Sequence, residues 1–408
     1  SRMKQITCIG IGLGNPDTLT IAAKHAIESC DLLIVSSRML ACFSHVTCST
    51  FASCKTNEIC DYILQHPEFQ NIGLLFSGDT GFYSGAKGFT NEFKQREQEK
   101  EYEIKHICGI SSLSYFCAKL QIPWDDIAII SLHGRETPWI STVRTNPKTF
   151  LLTGGAYSVE NICKELCLYQ MQDAVVSVGS NLSYENESIV SGTAETLAKQ
   201  SFPALSVMLI EHTNSQSKIV THGLPDESFI RGNVPMTKSE VRSISLSKLQ
   251  LEPHDIVYDI GAGTGSVAVE IALQIPHGCV YAVEKNPEAL ALLEQNKAQL
   301  GADCMNIVRG TAPDICKELP APNKVFIGGS SGNMKEILSL LLEKNPDVRI
   351  VITAISIETL TESMTCCKEL ELPVLDITQA CISKAKHMSR YHMMMGQNPV
   401  YIITAQRI

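Results

Sequence analysis

Short apolar runs alternate with amphipathic segments along the whole chain. Each run is short enough for a strand, and the segments 20–29 and 159–169 between them carry apolar residues at helical spacing. Strands that alternate with helices are typical of an α/β architecture. The sequence therefore predicts strands at 6–9, 32–35, 72–76, 104–107, 127–131, 150–152, 174–178 and 205–210 in the first half, and at 256–259, 280–283, 306–308, 324–327, 349–353, 374–377 and 400–404 in the second.

A polar, turn-rich stretch interrupts this alternation near the middle of the chain. Residues 212–218 are polar, and the glycines and prolines between 223 and 235 favour turns over regular structure. The pattern then resumes with a helix-like segment at 239–249. A chain of 408 residues is longer than one hydrophobic core usually supports. We therefore predict two domains, 1–215 and 216–408.

The most informative loop follows the predicted strand at 256–259. It reads Asp259-Ile-Gly-Ala-Gly-Thr-Gly265, and a helix-like run comes directly after it. Glycines allow a sharp turn and let a ligand approach the backbone, and the N-terminus of a helix offers free N–H groups. Glu284 ends the next predicted strand, where a carboxylate can accept hydrogen bonds from both hydroxyls of a ribose. This combination predicts a nucleotide site.

The spacing of the glycines indicates which nucleotide is bound. Dinucleotide sites have the pattern G-x-G-x-x-G, whereas this loop has Gly261-x-Gly263-x-Gly265 with Asp259 two residues before the first glycine. That form resembles the S-adenosylmethionine (SAM) loop of class I methyltransferases. A strand-to-helix turn that binds nothing explains any one of these glycines, but not all three together with Asp259 and Glu284.

Small and polar residues also follow four predicted strands of the first half. These loops are 77–83, 109–112, 131–135 and 153–155, and a further glycine-rich loop, 10–16, follows the first strand. Ligands of open α/β sheets bind beyond the carboxyl ends of the strands, so several such loops predict a crevice. Each loop taken singly is explained equally well by turn chemistry.

The composition narrows the classes of function. The net charge is −9 and no basic run is longer than two residues, which argues against nucleic acid as the main partner because phosphate binding requires clustered Lys and Arg. A small anionic substrate stays possible if a few cations line its pocket. No apolar run reaches membrane-spanning length and no signal-peptide pattern is present, so we expect a cytoplasmic protein.

The chain has 16 cysteines, which we expect to be reduced thiols. No C-x-x-C pair occurs, so no zinc ribbon is predicted. Cys42, Cys48, Cys54 and Cys60 are evenly spaced by six residues. We expect these four to be small buried or half-buried side chains, with a cluster of thiolate ligands as the alternative.

Taken together, the motifs resemble the bifunctional precorrin-6Y methyltransferases of cobalamin (vitamin B12) biosynthesis. In the first half the resemblance is to the CbiE-type, or class III, tetrapyrrole methylase domain, and in the second half to the CbiT-type domain. The motifs that carry it are 10–16, 77–83, 109–112, 131–135 and 152–155, followed by Val-Pro-Met-Thr-Lys-Ser-Glu-Val-Arg at 234–242, and by 259–265, 310–313 and 326–330. The resemblance implies two α/β subdomains with a cleft, followed by a class I Rossmann-like fold.

The resemblance implies two SAM-dependent methyl transfers to one tetrapyrrole, a precorrin or cobalt-precorrin. The C-terminal domain would methylate carbon 15 and remove the ring C acetate carboxylate as carbon dioxide, and the N-terminal domain would methylate carbon 5. No metal or nucleophilic side chain is needed, because positioning alone can lower such a barrier by about 7–11 kcal/mol. Thr80 is a departure, since many tetrapyrrole methylases have proline there. We also expect a homo-oligomer, a dimer or tetramer.

The resemblance also implies which residues bind the cofactor, one SAM in each domain. Thr237 is among them, although Thr237 and Glu240 also fit the pattern of a helix capping box. The implied contacts in the C-terminal domain are Thr237, Gly261, Ala262, Gly263, Thr264, Gly265, Glu284 and Ala312, and those in the N-terminal domain are Gly12, Gly78, Asp79, Ser111, Ser112 and Gly154.

Four charged residues are candidates for handling an acidic substrate. Lys238 and Arg242 lie four residues apart, on one face of the predicted helix, and Arg135 follows a predicted strand. Each could bind a carboxylate, and Glu240 is a candidate for proton transfer. A solvated helix face explains Lys238 and Arg242 equally well.

Two other functions use the same loops. One is a nucleic-acid methyltransferase with an accessory domain, which the acidic balance disfavours. The other is a SAM-responsive regulator without catalytic activity, for which no partner-binding module is left over. Nothing in the sequence distinguishes a metal-free from a cobalt-bound substrate or orders the two methylations.

Overall fold

The computed structural model describes residues 2–212, 219–328 and 332–408. The chain divides into two compact units. The predicted boundary between residues 215 and 216, and residues 329 and 330 of the motif at 326–330, lie outside the described residues, so the boundary stays a prediction. The first unit comprises Ser1–Arg135, Lys148–Lys164 and Asp173–Glu211, and the second comprises Glu136–Pro147, Glu165–Gln172 and His212–Ile408.

A parallel sheet opens the first unit. Its strands are β1 Lys4–Gly10, β2 Leu32–Val35, β3 Ser49–Ala52, β4 Asn71–Phe76 and β5 Tyr102–Ile107, and the helices of this part are α1 Ile21–Glu28, α2 Ser37–Leu40, α3 Thr56–Gln65, α4 Ala86–Arg96 and α5 Ser112–Lys119. The order is β3-β2-β4-β1-β5, with every pair parallel. Successive strand residues face opposite sides, so Ile6 packs with Phe89 and Phe93 while Ile9 packs with Ile27.

A mixed sheet follows in the same unit. Its strands are β6 Ala128–Ser131, β7 Lys148–Leu152, β8 Val175–Ser180, β9 Ser188–Thr193 and β10 Ser206–Glu211. The helices along this stretch of the chain are α6 Ile140–Thr145, which is assigned to the second unit, α7 Val159–Leu168, which is assigned to the second unit from Glu165 on, and α8 Ala194–Leu197. The order is β6-β7-β10-β8-β9, in which only β6 and β7 pair in parallel. The two α/β subdomains predicted for the first half are therefore present.

The second unit is built on a seven-stranded sheet. Its elements are α9 Ser239–Leu249, β11 Ile256–Ile260, α10 Ser266–Gln274, β12 Cys279–Glu284, α11 Pro287–Leu300, β13 Met305–Arg309, β14 Lys324–Ile327, α12 Met334–Lys344, β15 Arg349–Ala354, α13 Ile357–Glu369, β16 Val374–Ala380, β17 Ser383–Met388, β18 Tyr391–Gly396 and β19 Val400–Ala405. The order is β13-β12-β11-β14-β15-β19-β16, with only β19 antiparallel to its neighbours. The Rossmann-like fold predicted for this half is confirmed.

The strand order of this sheet determines where a ligand can bind. The chain leaves β11 toward β12 on one side and returns to β14 on the other. A crevice opens at the carboxyl ends of the strands where the order reverses in this way. The loops after β11 and β14 therefore border the expected site.

Every strand predicted from the sequence is present, but four strands within the described residues were missed. Two of them, β3 and β9, are largely exposed. The other two form the hairpin β17–β18, whose strand residues are all exposed, on both faces of the hairpin. A strand with no buried face has no reason to alternate apolar and polar residues. Within the described parts of the chain, every helix is too short or too polar to cross a membrane.

The evenly spaced cysteines differ in their burial. Cys60 is buried and Cys48 half-buried, as expected, whereas Cys42 and Cys54 are exposed, so the expectation is wrong for those two. Among the described residues no three His, Cys, Asp or Glu side chains are grouped so as to hold a metal ion.

Candidate functional site

A cavity of about 930 Å³ lies at the carboxyl ends of β11, β12 and β14. It brings together several predicted residues from separate parts of the second unit. The predicted residues that line it are Thr237, Lys238, Gly261, Ala262, Gly263, Thr264, Glu284 and Ala312, together with Asp259. Its volume lies within the range of small-molecule and cofactor sites.

The loop after β11 can be made only with glycine at its key positions. Gly261, Gly263 and Gly265 have φ angles of +75°, +58° and +85°, a region that residues with a Cβ rarely adopt. A Cβ on Gly263 would lie 3.2 Å from the carbonyl oxygen of Pro235, and one on Gly265 would collide with Leu293. The backbone at Gly261 and Gly263 therefore forms the wall of the cavity here, whereas Gly265, which was predicted to contact the cofactor, packs against Leu293 and does not line the cavity.

Glu284 is held in a fixed position at the end of β12. One carboxylate oxygen accepts a hydrogen bond from the N–H of Gly263 at 2.9 Å. The other accepts from the N–H groups of Lys285 at 3.2 Å and Asn286 at 3.1 Å. A carboxylate offers about four acceptor positions, so Glu284 keeps about one position, on the oxygen that accepts from Gly263, for a ribose hydroxyl.

Asp259 is a buried carboxylate at the end of β11 whose charge is poorly satisfied. It is 1% exposed, and neither oxygen has a hydrogen-bond partner of normal geometry among the described residues. Burial raises the pKa of Asp259 to about 7; the Ala268 N–H opposes this rise and the charge of Glu284 adds to it. Because Asp259 also lines the cavity, a cation placed there would satisfy it.

An amide that the sequence did not single out lies at the same cavity. Asn333, just before α12, donates a hydrogen bond from Nδ2 to the carbonyl oxygen of Ala312 at 2.6 Å. Its Oδ1 is buried and has no hydrogen-bond partner in the described part of the chain, and the same holds for the hydroxyl of Thr264. No motif marks Asn333, and only its unsatisfied acceptor reveals it.

The prediction of a capping box at Thr237 is wrong. Helix α9 begins at Ser239 with Lys238 as its N-cap, and no side chain caps it. The Thr237 carbonyl oxygen instead accepts a hydrogen bond from Arg242. Lys238 lines the cavity and forms no ion pair with any of the described residues, so it is available to a carboxylate.

The prediction that Arg242 binds a substrate carboxylate is also contradicted. Its side chain is 0% exposed and is ion-paired with Glu270 at 2.5 Å and Asp226 at 3.3 Å. Its remaining donors bind the carbonyl oxygens of Thr237 and Leu224. A helix face that looks solvated in the sequence is covered here by the preceding segment.

Glu240, the proton-transfer candidate, forms an ion pair with Lys384 of β17 at 2.9 Å. The hydrogen bond from Lys384 lowers the pKa of Glu240. A carboxylate held in its ionised form at neutral pH is poorly suited to donate a proton.

In the first unit the loops after β1, β4 and β5 meet. Gly12 and Gly78 exchange backbone hydrogen bonds of 3.2 and 2.7 Å, and both have positive φ. Asp79 accepts a hydrogen bond from the N–H of Gly109 at 3.0 Å. Ser111 accepts one from the N–H of Ser114 and so caps α5, whose first residue is Ser112. These five predicted residues therefore share one edge of the parallel sheet.

Loops of the mixed sheet approach the same group. The guanidinium of Arg135, beyond β6, lies 5.5 Å from the centre of the Tyr83 ring in the loop after β4. Gly154, beyond β7, is beside His133, whose Nδ1 is 3.2 Å from the carbonyl oxygen of Thr153. Arg135 is thus linked to the predicted cofactor loops, and Gly154 belongs to a cluster around His133.

The loop after β8 supports the glycine-rich loop 10–16. The sequence did not predict this contact. Ser183 donates to the carbonyl oxygen of Leu13 at 2.9 Å, and Tyr184 lies against Gly14. Glu187 accepts hydrogen bonds from Tyr115 and from the N–H of Ser183. Burial opposes the effect, but these hydrogen bonds lower the pKa of Glu187.

A cavity of about 580 Å³ in the first unit is not lined by the five predicted residues at the edge of the parallel sheet. It is lined by α1 and the segment 39–48, and of the predicted loops it touches only 10–16, at Ile11 and at 14–16. Gly78, Asp79, Ser111 and Gly154 do not line it.

Known proteins similar to the second half share one activity in their names. A family model for the precorrin methyltransferase domain matches residues 228–407. A probable cobalt-precorrin-6B C(15)-methyltransferase (decarboxylating) of Pyrobaculum calidifontis is 42% identical over 188 residues, 45% of this chain and 96% of the relative. The corresponding enzyme of Salmonella typhimurium is 37% identical over 187 residues, 45% and 96% of the two chains. This chain belongs to the precorrin methyltransferase family.

The first half of this precorrin methyltransferase matches a second family model, that of the tetrapyrrole (corrin/porphyrin) methylases, over residues 5–198. The two matches together give the bifunctional arrangement expected from the motifs. A solved precorrin-6Y C5,15-methyltransferase from Geobacter metallireducens is similar to the chain with 34% identity and a TM-score of 0.44, covering 46% of this chain and 97% of the other.

The poorly satisfied charge of Asp259 predicts a stability that depends on pH. The folded protein keeps the proton up to about pH 7 and the unfolded chain only to about pH 3.8, so ionisation destabilises the fold increasingly between these values. Asp259→Asn removes this titration. We expect the variant without SAM to gain stability relative to the native protein as pH rises from 4 to 8, by about 4 kcal/mol at most.

The measurement is denaturant unfolding of both proteins across that pH range, followed at the C-terminal unit. A stability difference that stays constant with pH would show that Asp259 titrates normally. S-adenosylhomocysteine (SAH) binding provides the second readout, because the same substitution should weaken it.

Proposed function

We propose that the chain is a bifunctional SAM-dependent methyltransferase of cobalamin biosynthesis that acts on precorrin-6B or cobalt-precorrin-6B. The C-terminal domain, 216–408, would methylate carbon 15 with loss of carbon dioxide, and the N-terminal domain, 1–215, would methylate carbon 5. The observation that carries the proposal is the unpartnered carboxylate of Asp259 at a glycine-lined cavity. The names of the relatives support the reaction and the substrate.

The cavity residues fit the parts of SAM, which when bound supplies an activated methyl group. The carboxylate of Asp259 suits a cationic group of the amino-acid end, and the remaining acceptor position of Glu284 suits a ribose hydroxyl. Ala312 and the free Oδ1 of Asn333 border the place left for the adenine, whose amino group can donate to that oxygen. The glycines let the cofactor contact the backbone directly.

The chemistry asks for alignment rather than for a reactive side chain. In the proposed transfer the bond between sulfur and methyl breaks as the bond between methyl and ring carbon forms, and SAH leaves. In the decarboxylation the bond to the acetate carboxylate breaks, and its electrons pass into the methylated macrocycle. Residues that fix the two carbons in line can supply about 7–11 kcal/mol of the barrier. This agrees with a site made of backbone and binding groups.

In the first unit we propose that Gly12, Gly78, Asp79, Ser111 and Ser112 hold a second SAM. Their support is that they converge at the carboxyl ends of β1, β4 and β5. Arg135 would border the substrate, since it lies over Tyr83 of the loop that also holds Gly78 and Asp79. Gly154 would border the cofactor.

Gly263→Val tests whether the two sites work independently. The side chain would enter the cavity at a position with φ +58° and press on Pro235. We expect the variant to lose both the methyl gain at the C-terminal site and the release of carbon dioxide, while the other methyl gain continues. The measurement is mass spectrometry of metal-free and cobalt-bound precorrin-6B after incubation with SAM.

Gly263→Ala is the graded control and should give a partial loss. Loss of both methyl gains in the valine variant, with the fold intact, would refute independent sites. Absence of any methyl gain in the native protein with both substrates would refute the proposed function itself.

Lys238→Met tests the proposed carboxylate contact, because methionine keeps much of the length and removes the charge. For one partly exposed ion pair we expect KM for the tetrapyrrole to rise about fivefold at most. SAH binding should not change. Lys386→Met, on the exposed hairpin and outside the cavity, is the matched control and should leave KM as it is. Equal effects of both substitutions would point to general charge attraction.

A further inference from the structure

One wall of the C-terminal cavity is a segment with little regular structure. Residues 223–237, here called the strap, precede α9, and 234–237 line the cavity. The strap lies directly on the glycine loop, since a Cβ on Gly263 would be 3.2 Å from the carbonyl oxygen of Pro235. Any displacement of the strap would therefore change the shape of the cavity beside the cofactor loop.

A single buried guanidinium binds both ends of the strap. Arg242, in α9, donates from Nη1 to the carbonyl oxygen of Thr237 at 2.7 Å and from Nη2 to that of Leu224. These residues lie close to the end and the beginning of the strap. Because the guanidinium is planar and rigid, it holds the two carbonyl groups at a fixed spacing.

Glu270 of α10 orients this guanidinium and binds the strap as well. One carboxylate oxygen accepts from Arg242 Nε at 2.5 Å. The other accepts from the N–H groups of Gly223 at 2.7 Å and Leu224 at 3.0 Å. Glu270 is 2% exposed and Arg242 0% exposed, so water does not compete for these bonds. All the acceptors and donors involved are supplied by the strap and two helices.

The middle of the strap is tied to the glycine loop itself. Asn296 of α11, 0% exposed, donates from Nδ2 to the carbonyl oxygens of Ile230 at 3.0 Å and Thr264 at 2.8 Å. Its Oδ1 accepts from the N–H of Ile230 at 2.8 Å. One amide thus connects the strap to the loop that would hold SAM.

We propose that Arg242 and Glu270 are positioning residues of the C-terminal cofactor pocket. Neither side chain lines the cavity; they act by holding the strap, and through it residues 234–237, against the glycine loop. A buried ion pair often stabilises a fold no better than apolar residues of the same volume. We therefore base the inference on the hydrogen bonds that the pair forms with the strap, not on its contribution to stability. This inference rests on the proposed SAM site and deepens it.

Arg242→Lys separates positioning from charge. Lysine keeps a cation beside Glu270, but one ammonium replaces the planar group with its five donors, so it cannot hold the carbonyl groups of both Leu224 and Thr237. We expect the strap amides at 223–237 to exchange hydrogen faster. We also expect about tenfold weaker SAH binding at the C-terminal site, because the loss of one strong hydrogen bond changes an affinity by about that factor.

Hydrogen exchange on the full chain measures the affinity of this site alone. The SAH concentration that half-protects the peptide containing 259–265 reports C-terminal binding, whatever binds in the first unit. Lys324→Met is the matched control, because Lys324 is 7% exposed and ion-paired with Glu252 and Asp255 at the start of β14, the end away from the cavity. It should lower stability and leave the half-protecting concentration unchanged.

The outcomes distinguish this inference from the proposed function. If SAH does not protect 259–265 in the native chain, the SAM site itself is wrong. If it does, and Arg242→Lys binds SAH as tightly as the native chain, the positioning role is refuted. An equal weakening by Lys324→Met would also refute it. Should Arg242→Lys fail to fold, Glu270→Gln, which keeps an acceptor for the strap amides, is judged by the same criteria.

Discussion

Close approach of backbone segments at the carboxyl ends of parallel strands is the constraint on which both candidate sites depend. In the first unit, a Cβ on Gly10 or Gly109 would meet the backbone of the neighbouring strand-end loops. In the second, a Cβ on Gly263 would press on the carbonyl oxygen of Pro235, and one on Gly265 would meet the Leu293 side chain. Glycine at these positions exposes backbone N–H and C=O groups where a ligand can reach them. Each site is therefore built from loop backbones, to which side chains add charge and hydrogen bonds.

Two buried carboxylates of the second unit show opposite ways of meeting the cost of burial. Glu270 is surrounded by donors from the strap and Arg242, and its charge serves the fold. Asp259 has no such donors among the described residues, and its pKa rises to about 7. A group that lowers the stability of the free protein persists where a ligand can satisfy it.

The sheets and the glycine loops could be predicted because each leaves a local signal. Strand burial produces short apolar runs, and positive φ angles select glycine. Arg242 was misread because its position in α9 was visible but the strap that covers it was not, since that contact is made by tertiary structure. The hairpin β17–β18 was missed because neither face is buried, so no alternation of apolar and polar residues marks it. Asn333 belongs to no motif.

Accounting for the hydrogen bonds of buried polar groups separates residues that build the site from those left for a ligand. Arg242 and Asn296 have their polar atoms hydrogen-bonded within the protein. They therefore hold in position the strap and the glycine loop, which form walls of the cavity. In the described part of the chain, Asp259, Thr264 and Asn333 each keep a buried oxygen without a partner, and all three line one cavity. Leaving buried acceptors unpaired is costly. These three side chains at one cavity are best explained by a ligand that donates hydrogen bonds and carries positive charge, as the amino and sulfonium groups of SAM do together.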